Sequence, residues 1–229
     1  MKFCPGPTQK GHKPVFVHNI VESTRVNGPG NRAAIWFAGC NLGCRGCWNP
    51  DTHRPGSGTD MKIQELVERL STLPDIEGIT FSGGEPMQQA MQLDILMNLI
   101  HKQRPELSFG MYTGYTEQEL DRGHFSWFDG AGYLQGTANM WHGIKNNLDF
   151  AIMGRYNEQL RTNAEPLCGS SNQKVVFFSD RYSEKDLSRQ SVEIMIAPGG
   201  LTQLTGFPVG IHEQVTRGLS GLDQEEIAI

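Results

Sequence analysis

The stretch Ala33-Ala34-Ile35-Trp36-Phe37-Ala38-Gly39-Cys40-Asn41-Leu42-Gly43-Cys44-Arg45-Gly46-Cys47 joins a short apolar run to three cysteines. An apolar run of this length, bounded by turn signals, predicts a buried strand from Ala33 to Ala38. The cysteines then fall in a loop at its carboxyl end, spaced CxxxCxxC with glycine beside them. Thiolates are soft ligands that select zinc or iron–sulfur clusters, and a tight loop lets three sulfurs serve one metal centre. A four-iron cubane needs four ligands, so three cysteines leave one iron open, by the logic that separates catalytic from structural zinc sites. The competing reading is a Cys3His zinc site completed by His53, six residues after Cys47.

Outward from this loop the pattern repeats. Ile63, Leu66, Val67, Leu70 and Leu73 share one helical face within 62–73, and Pro74 stops the helix. Residues 78–81 read as a second strand ending in Ser82-Gly83-Gly84-Glu85-Pro86. Leu93, Leu96, Met97 and Ile100 mark a second amphipathic helix, closed by Pro105. Residues 107–112 form a third strand with Thr113-Gly114-Tyr115 at its exit, and Thr116 with Glu119 makes a capping box. Upstream, a strand is expected at 15–21, ahead of Val26-Asn27-Gly28-Pro29-Gly30. Residues 121–147 fit neither period and read as an irregular insertion rich in aromatics and glycine. Strands resume at 148–153 and 174–179, and 192–197 with 201–205 form a hairpin around Pro198-Gly199-Gly200. Alternating strands and helices imply an α/β fold with a parallel sheet, whose ligands sit at the carboxyl ends of the strands.

The whole chain of 229 residues suits a single domain. With 20 Lys+Arg against 25 Asp+Glu the formal charge is −5, which offers no basic face for nucleic acid or an anionic membrane. No apolar stretch is long enough to span a bilayer and residues 1–11 lack a signal-peptide core, so a cytoplasmic address is expected. In that reducing compartment, three of 5 cysteines crowded into eight residues read as a metal site before a disulfide. Cys4 and Cys168 read as small buried apolar residues. Many of the 27 glycines, among them Gly28, Gly30, Gly39, Gly83, Gly84 and Gly169, fall in or beside the candidate turns, which places them at one edge of the sheet.

Taken together, CxxxCxxC after the first strand and Ser82-Gly83-Gly84-Glu85-Pro86 after the next resemble the radical S-adenosylmethionine (SAM) superfamily. More narrowly, the sequence is similar to the activating proteins of anaerobic, class III ribonucleotide reductase. The matching pieces are Asn27-Gly28-Pro29-Gly30 followed by Arg32, the cysteine loop with Trp48 and Asn49 after it, the GGEP turn, Thr113-Gly114-Tyr115 and Gly169-Ser170-Ser171-Asn172-Gln173. The resemblance implies a partial (β/α) barrel of the radical SAM type, open on one side, with an irregular insertion and a C-terminal β-hairpin extension. Its core would cover about 26–180, its insertion 121–147 and its extension 181–229.

The resemblance also implies the chemistry. Cys40, Cys44 and Cys47 would hold a [4Fe-4S] cluster whose open iron takes the amino and carboxylate groups of SAM. Ser82, Gly83, Gly84, Glu85, Thr113, Tyr115, Ser170 and Asn172 would line the SAM site, with Glu85 positioning the ammonium. Trp48 either packs on the adenine or is plain core, and Asn49 follows it in the same loop. An electron from the cluster would cleave SAM to methionine and a 5′-deoxyadenosyl radical, which takes a hydrogen atom from a glycine of a partner glycyl radical enzyme. Flavodoxin or a similar donor would supply the electron. The chain departs from the family at Met153-Gly154-Arg155, where an Asp-Gly pair is usual, and at Cys168, where an arginine usually precedes GSSNQ. Two other readings stand beside this one: a radical SAM enzyme acting on a small molecule or peptide, and a non-catalytic zinc or iron–sulfur module. The 121–147 insertion is expected to be a lid or a docking surface.

Overall fold

The computed structural model describes residues 13–55, 57–188, 192–196 and 202–207. Cys4 and the Pro198-Gly199-Gly200 turn lie outside them. Strands β1 (Val15–Thr24) and β2 (Arg32–Phe37) lead into the cysteine loop, followed by β3 (Thr59–Met61), α1 (Ile63–Ser71), β4 (Gly78–Gly83), α2 (Ala90–Gln103) and β5 (Ser108–Thr113). Then come α3 (Glu117–Asp121), β6 (Ser126–Phe128), β7 (Tyr133–Gln135), α4 (Ala138–Lys145), β8 (Phe150–Met153), β9 (Lys174–Phe177), β10 (Val192–Ile196) and β11 (Thr202–Gly206).

The fold is mixed α/β around a seven-stranded sheet of order β3-β1-β2-β4-β5-β8-β9. β2, β4, β5 and β8 pair parallel; β1 pairs antiparallel with both β2 and β3 on one side, and β9 pairs antiparallel with β8 on the other. A wholly parallel sheet was the expectation from alternating elements. It fails at the edges because no α-helix crosses between β1 and β2 or between β8 and β9, and a crossover is what parallel neighbours require.

Every residue of β2 is buried, which is why its sequence is a run and not an alternation. Ile35, Phe37, Ile79, Phe81, Phe109, Met111 and Ala151 face one side, where Leu66, Leu70, Leu93, Met97, Trp141 and Ile144 of α1, α2 and α4 pack on them. On the other side Ala34 and Trp36 meet Met195 of β10, and Phe150 and Ile152 meet Leu167, Cys168 and Phe207. β10 and β11 pair antiparallel from Val192↔Gly206 to Ile196↔Thr202.

Residues 121–147 are more regular than their sequence. They form the β6–β7 hairpin and then α4, part of the β5–β8 crossover, with Trp141 and Ile144 fully buried. Strands of three residues are too short to show a period of two, and an eight-residue helix with two core positions barely shows 3.6. Gly143 lets α4 approach α2, since a Cβ there would stand 3.1 Å from Asp94. The segment is therefore built into the core at Phe125 and again through α4, with Trp127 of the hairpin packed against that core.

Arg32 explains the GPGxR piece. Its guanidinium is fully buried and meets no carboxylate; it donates to Thr80 Oγ1, Pro29 O, Ser108 Oγ, Ile79 O and Ser108 O at 2.8–3.1 Å, with the Phe150 ring 5.0 Å away. Burial holds its pKa below the ordinary arginine value. Arg32, Gly78 and Ser108 open β2, β4 and β5, so this staple closes the amino edge of the parallel strands. Gly28 (φ 146°) belongs to it, because a Cβ would lie 2.7 Å from Phe150 and 2.9 Å from Arg32. Gly28 and Gly30 thus sit at the edge opposite the cysteines, not with them. Arg32→Ala should cost about 3–5 kcal/mol in urea unfolding, because it strips donors from buried carbonyls, and Arg32→Lys should recover only part of that.

Candidate active site

The carboxyl ends of β2, β4, β5 and β8 converge on one cleft whose empty space, open solvent included, is about 930 Å³. Cys40, Cys44, Cys47, Trp48, Asn49, Ser82, Gly83, Gly84, Glu85 and Thr113 border it. Gly169 and Gln173 of GSSNQ border it too, as do residues from beyond the motifs, among them Tyr156, Leu167 and Phe207.

The cysteine loop is pinned at its neck. Gly39 N donates to Thr52 O at 2.7 Å and Cys40 N to His53 O at 3.0 Å, so residues 40–52 leave β2 and return to the same place. Inside the loop Cys47 N donates to Cys44 O, and Gly43 and Gly46 take positive φ of 65° and 68° where the chain turns. Asn41 is held from outside by Ser126 of β6 at 3.1 Å and by Gln88. The three cysteines form no disulfide and are half-buried. Burial, then the Glu85 charge, pushes Cys40 up to about 12, and burial raises Cys44 and Cys47 as well, with neighbouring cysteines adding to the rise at Cys40 and Cys47.

The β4 exit packs directly on that neck. Gly84 N donates to Phe37 O at 2.8 Å and Glu85 N to Gly39 O at 2.9 Å. A Cβ on Gly83 (φ 98°) would lie 2.4 Å from Phe37 N, and one on Gly84 would lie 2.3 Å from Gly39 O. The glycine pair is thus required first by the contact between two loops. Glu85 Oε1 accepts from Met87 N (3.0 Å) and Thr113 Oγ1 (2.8 Å), and Oε2 from Gly114 N (2.8 Å). Burial pushes its carboxyl up to about 7 against the pull of these hydrogen bonds. Between the ordinary carboxyl pKa and 7 the folded chain keeps a proton that the unfolded chain has released, so this group's contribution to stability falls as pH rises through that window. Arg155, which acts on Glu85 through space, is itself paired with Glu119 at 2.8 Å.

The structure keeps Tyr115, Ser170 and Asn172 off the cleft wall. Tyr115 is core, its hydroxyl against Ser126 Oγ at 3.2 Å. Ser170 is fully buried and accepts from Asn157 N, and Asn172 donates to Arg155 O at 2.8 Å. In GSSNQ it is Gln173 that reaches the cleft. Its Oε1 accepts from Gly169 N (2.9 Å) and Ser170 N (3.1 Å) while Nε2 donates to Gly154 O (3.0 Å), clasping the loop to the β8 exit. The departures are apolar here: Met153 faces the helices, and Cys168 packs with Phe150 and Ile152, burial pushing its thiol up to about 11. Just before it, Leu167 borders the cleft with a φ of 60°, a left-handed conformation costing about 1–2 kcal/mol. Nothing in the amino-acid pattern marks Leu167 or Phe207 as neighbours of the cysteines.

Among the described residues no three His, Cys, Asp or Glu side chains close on a point as a single ion requires. A cubane takes each thiolate on a different iron, so thiols spread around one wall fit it. The donor set is soft and confined to one cleft.

Residues 26–176 match the family model described as "4Fe-4S single cluster domain". The chain belongs to that family and, with its SAM-type loops, to the radical SAM superfamily. Among its relatives, the anaerobic ribonucleoside-triphosphate reductase-activating protein of Salmonella typhi is 30% identical over 66% of this chain and 90% of its own length. The pyruvate formate-lyase-activating enzyme of Clostridium pasteurianum is 36% identical over 38% of this chain and 39% of its own. The crystal structure of QueE from Escherichia coli aligns at a TM-score of 0.32 and 16% identity, covering 45% of this chain and 53% of that one, too distant to carry an argument. No helix among the described residues is long and apolar enough to cross a membrane.

Gly84→Ala should drive the β4 exit off the cysteine loop. Iron and sulfide analysis after anaerobic reconstitution should then show most of the cluster lost while far-ultraviolet dichroism stays close to wild type.

Proposed function

We propose that this chain activates a glycyl radical enzyme, most simply an anaerobic ribonucleoside-triphosphate reductase, as a radical SAM iron–sulfur enzyme. The observation that carries the reading is that three cysteines and one buried carboxyl open into the same cleft at the carboxyl ends of the parallel strands. Cys40, Cys44 and Cys47 hold the [4Fe-4S] cluster, and the wall from Ser82 to Glu85 with Thr113 receives the methionyl part of SAM. Glu85 is suited to an ammonium group, because a cation beside it relieves the ionisation that burial opposes. Met87, Thr113 and Gly114 hold that carboxylate in place beforehand. When bound, the cluster supplies the electron that splits SAM into methionine and a 5′-deoxyadenosyl radical able to take a hydrogen atom from a glycine. The chain's own task is to orient the sulfonium and exclude water. The motif roles of Tyr115, Ser170 and Asn172 are then indirect, holding the loops around the cleft.

The same reading treats 1–229 as one radical SAM domain whose sheet curves as a partial barrel, acting in the cytoplasm with a flavodoxin-like donor. It is tested by incubating reconstituted protein with SAM, reductant and a candidate reductase. A glycyl radical signal in electron paramagnetic resonance is the expected result. Release of 5′-deoxyadenosine without that signal would move the substrate to a small molecule or peptide.

Cys44→Ala should abolish both the cluster absorbance and SAM cleavage; a SAM-responsive cluster in that variant would end the assignment. Glu85→Ala orphans three donors and tests the fold as much as the site. Glu85→Gln keeps an acceptor oxygen and removes the charge, so SAM affinity should fall roughly tenfold at unchanged cluster content, measured by equilibrium dialysis at pH 8, where the native carboxyl is ionised.

A further inference from the structure

The family match ends at residue 176, yet the cleft contains a residue from far beyond it. The Salmonella relative is matched over 90% of its own length, so little of its chain is left to supply a counterpart. Strand β11 is seated on the face of the sheet opposite α1, α2 and α4, with Leu204 and Thr205 buried. Thr205 Oγ1 donates to Asn27 Oδ1 at 2.8 Å, and Asn27 is itself fixed by Thr24 Oγ1 at 3.2 Å and, through its carbonyl, by Thr80 Oγ1 at 2.8 Å. Its neighbour β10 is tied in by Arg25 N donating to Glu193 Oε1 at 3.0 Å. Gly206 then takes a φ of 106°, and Phe207 follows it into the cleft.

There Phe207 lies with its ring 5.5 Å from Trp48, edge to face, and 6.3 Å from Tyr112. Tyr156 and the Arg161 guanidinium contact Trp48 from other directions, at 5.7 and 5.5 Å. Trp48, Tyr112 and Phe207 are only partly buried, so aromatic surface faces the cleft. One wall of the cleft is therefore polar, with thiols, Glu85 and Thr113, and another is aromatic. A ligand with a charged amino-acid part and a flat ring matches both, and aromatic rings are sequence-tolerant platforms for a base.

We propose that Phe207 is a positioning residue for the nucleoside of SAM: the C-terminal hairpin completes the aromatic wall against which the adenosyl group packs. This rests on the reading of the cleft as a SAM site. The test uses full-length, anaerobically reconstituted protein, comparing wild type with Phe207→Ala, Phe207→Leu and Phe207→Tyr, with SAM and methionine as separate probes in equilibrium dialysis. Phe207→Ala and Phe207→Leu should raise the dissociation constant for SAM roughly tenfold, the size of one base–aromatic stack, while Phe207→Tyr stays within about twofold and methionine binding is unchanged. The leucine variant keeps apolar packing, so a fold defect in the alanine variant does not decide the outcome. Wild-type SAM affinity in Phe207→Leu, or equal losses for SAM and methionine, overturns the proposal alone. A wild-type protein that carries its cluster and binds no SAM overturns the underlying reading, and the proposal with it.

Discussion

Two backbone hydrogen bonds, Gly84 N to Phe37 O and Glu85 N to Gly39 O, fix the relation on which the site depends. They join the exits of β2 and β4 at a separation that leaves no room for a Cβ on either Gly83 or Gly84. The start of the cysteine loop and the Glu85 carboxylate are therefore placed by the same contact. From Glu85 the chain of constraint runs to Thr113 and Gly114 at the β5 exit, and from there Gly154 N, donating to Thr113 O at 3.0 Å, brings in the β8 exit. Gln173 closes the circuit by binding Gly154 O. Four strand ends are thus linked largely through backbone groups, which are insensitive to side-chain exchange.

The other end of the sheet is held by different physics. A buried guanidinium with five neutral acceptors and no carboxylate is costly to desolvate, and its pKa is displaced downward as that cost requires. What offsets the cost is saturation: five buried carbonyl and hydroxyl contacts accept from the one guanidinium. Arg32 draws the first residues of β2, β4 and β5 together, so the strands reach their opposite ends in register. Function at the carboxyl edge rests on this staple although nothing there touches it.

The sequence was legible where local pattern and tertiary role coincide. The buried run at 33–38, the helical stripes of α1 and α2 and the capping box at Thr116 are local, and each became the element its pattern implies. The cysteines, GGEP and Thr113 are adjacent to strand ends, so placing the strands places them. Tyr115, Ser170 and Asn172 do not border the cleft, since a motif records that a residue matters, not which way it points. In each case the hydrogen bonds turn the side chain toward a neighbouring loop. Strand direction at the sheet edges escaped because it depends on which connections carry a helix. Leu167 and Phe207 escaped because a strained φ and a contact across some 160 positions leave no local trace.

The hairpin β10–β11 alters what the cleft can admit. A radical formed at the cleft reacts with whatever hydrogen donor comes within contact distance, so the walls decide the substrate as much as the cluster does. With Phe207 and Gly206 lining the cleft, one approach over the sheet face is already taken by the chain itself. Arg45, Arg155 and Glu158 stand exposed at the rim beside the cysteine loop, away from that hairpin. On the proposed function the hairpin would bear on specificity by subtraction: among the described residues it occupies part of the cleft wall and leaves the backbone circuit around the cysteine loop untouched.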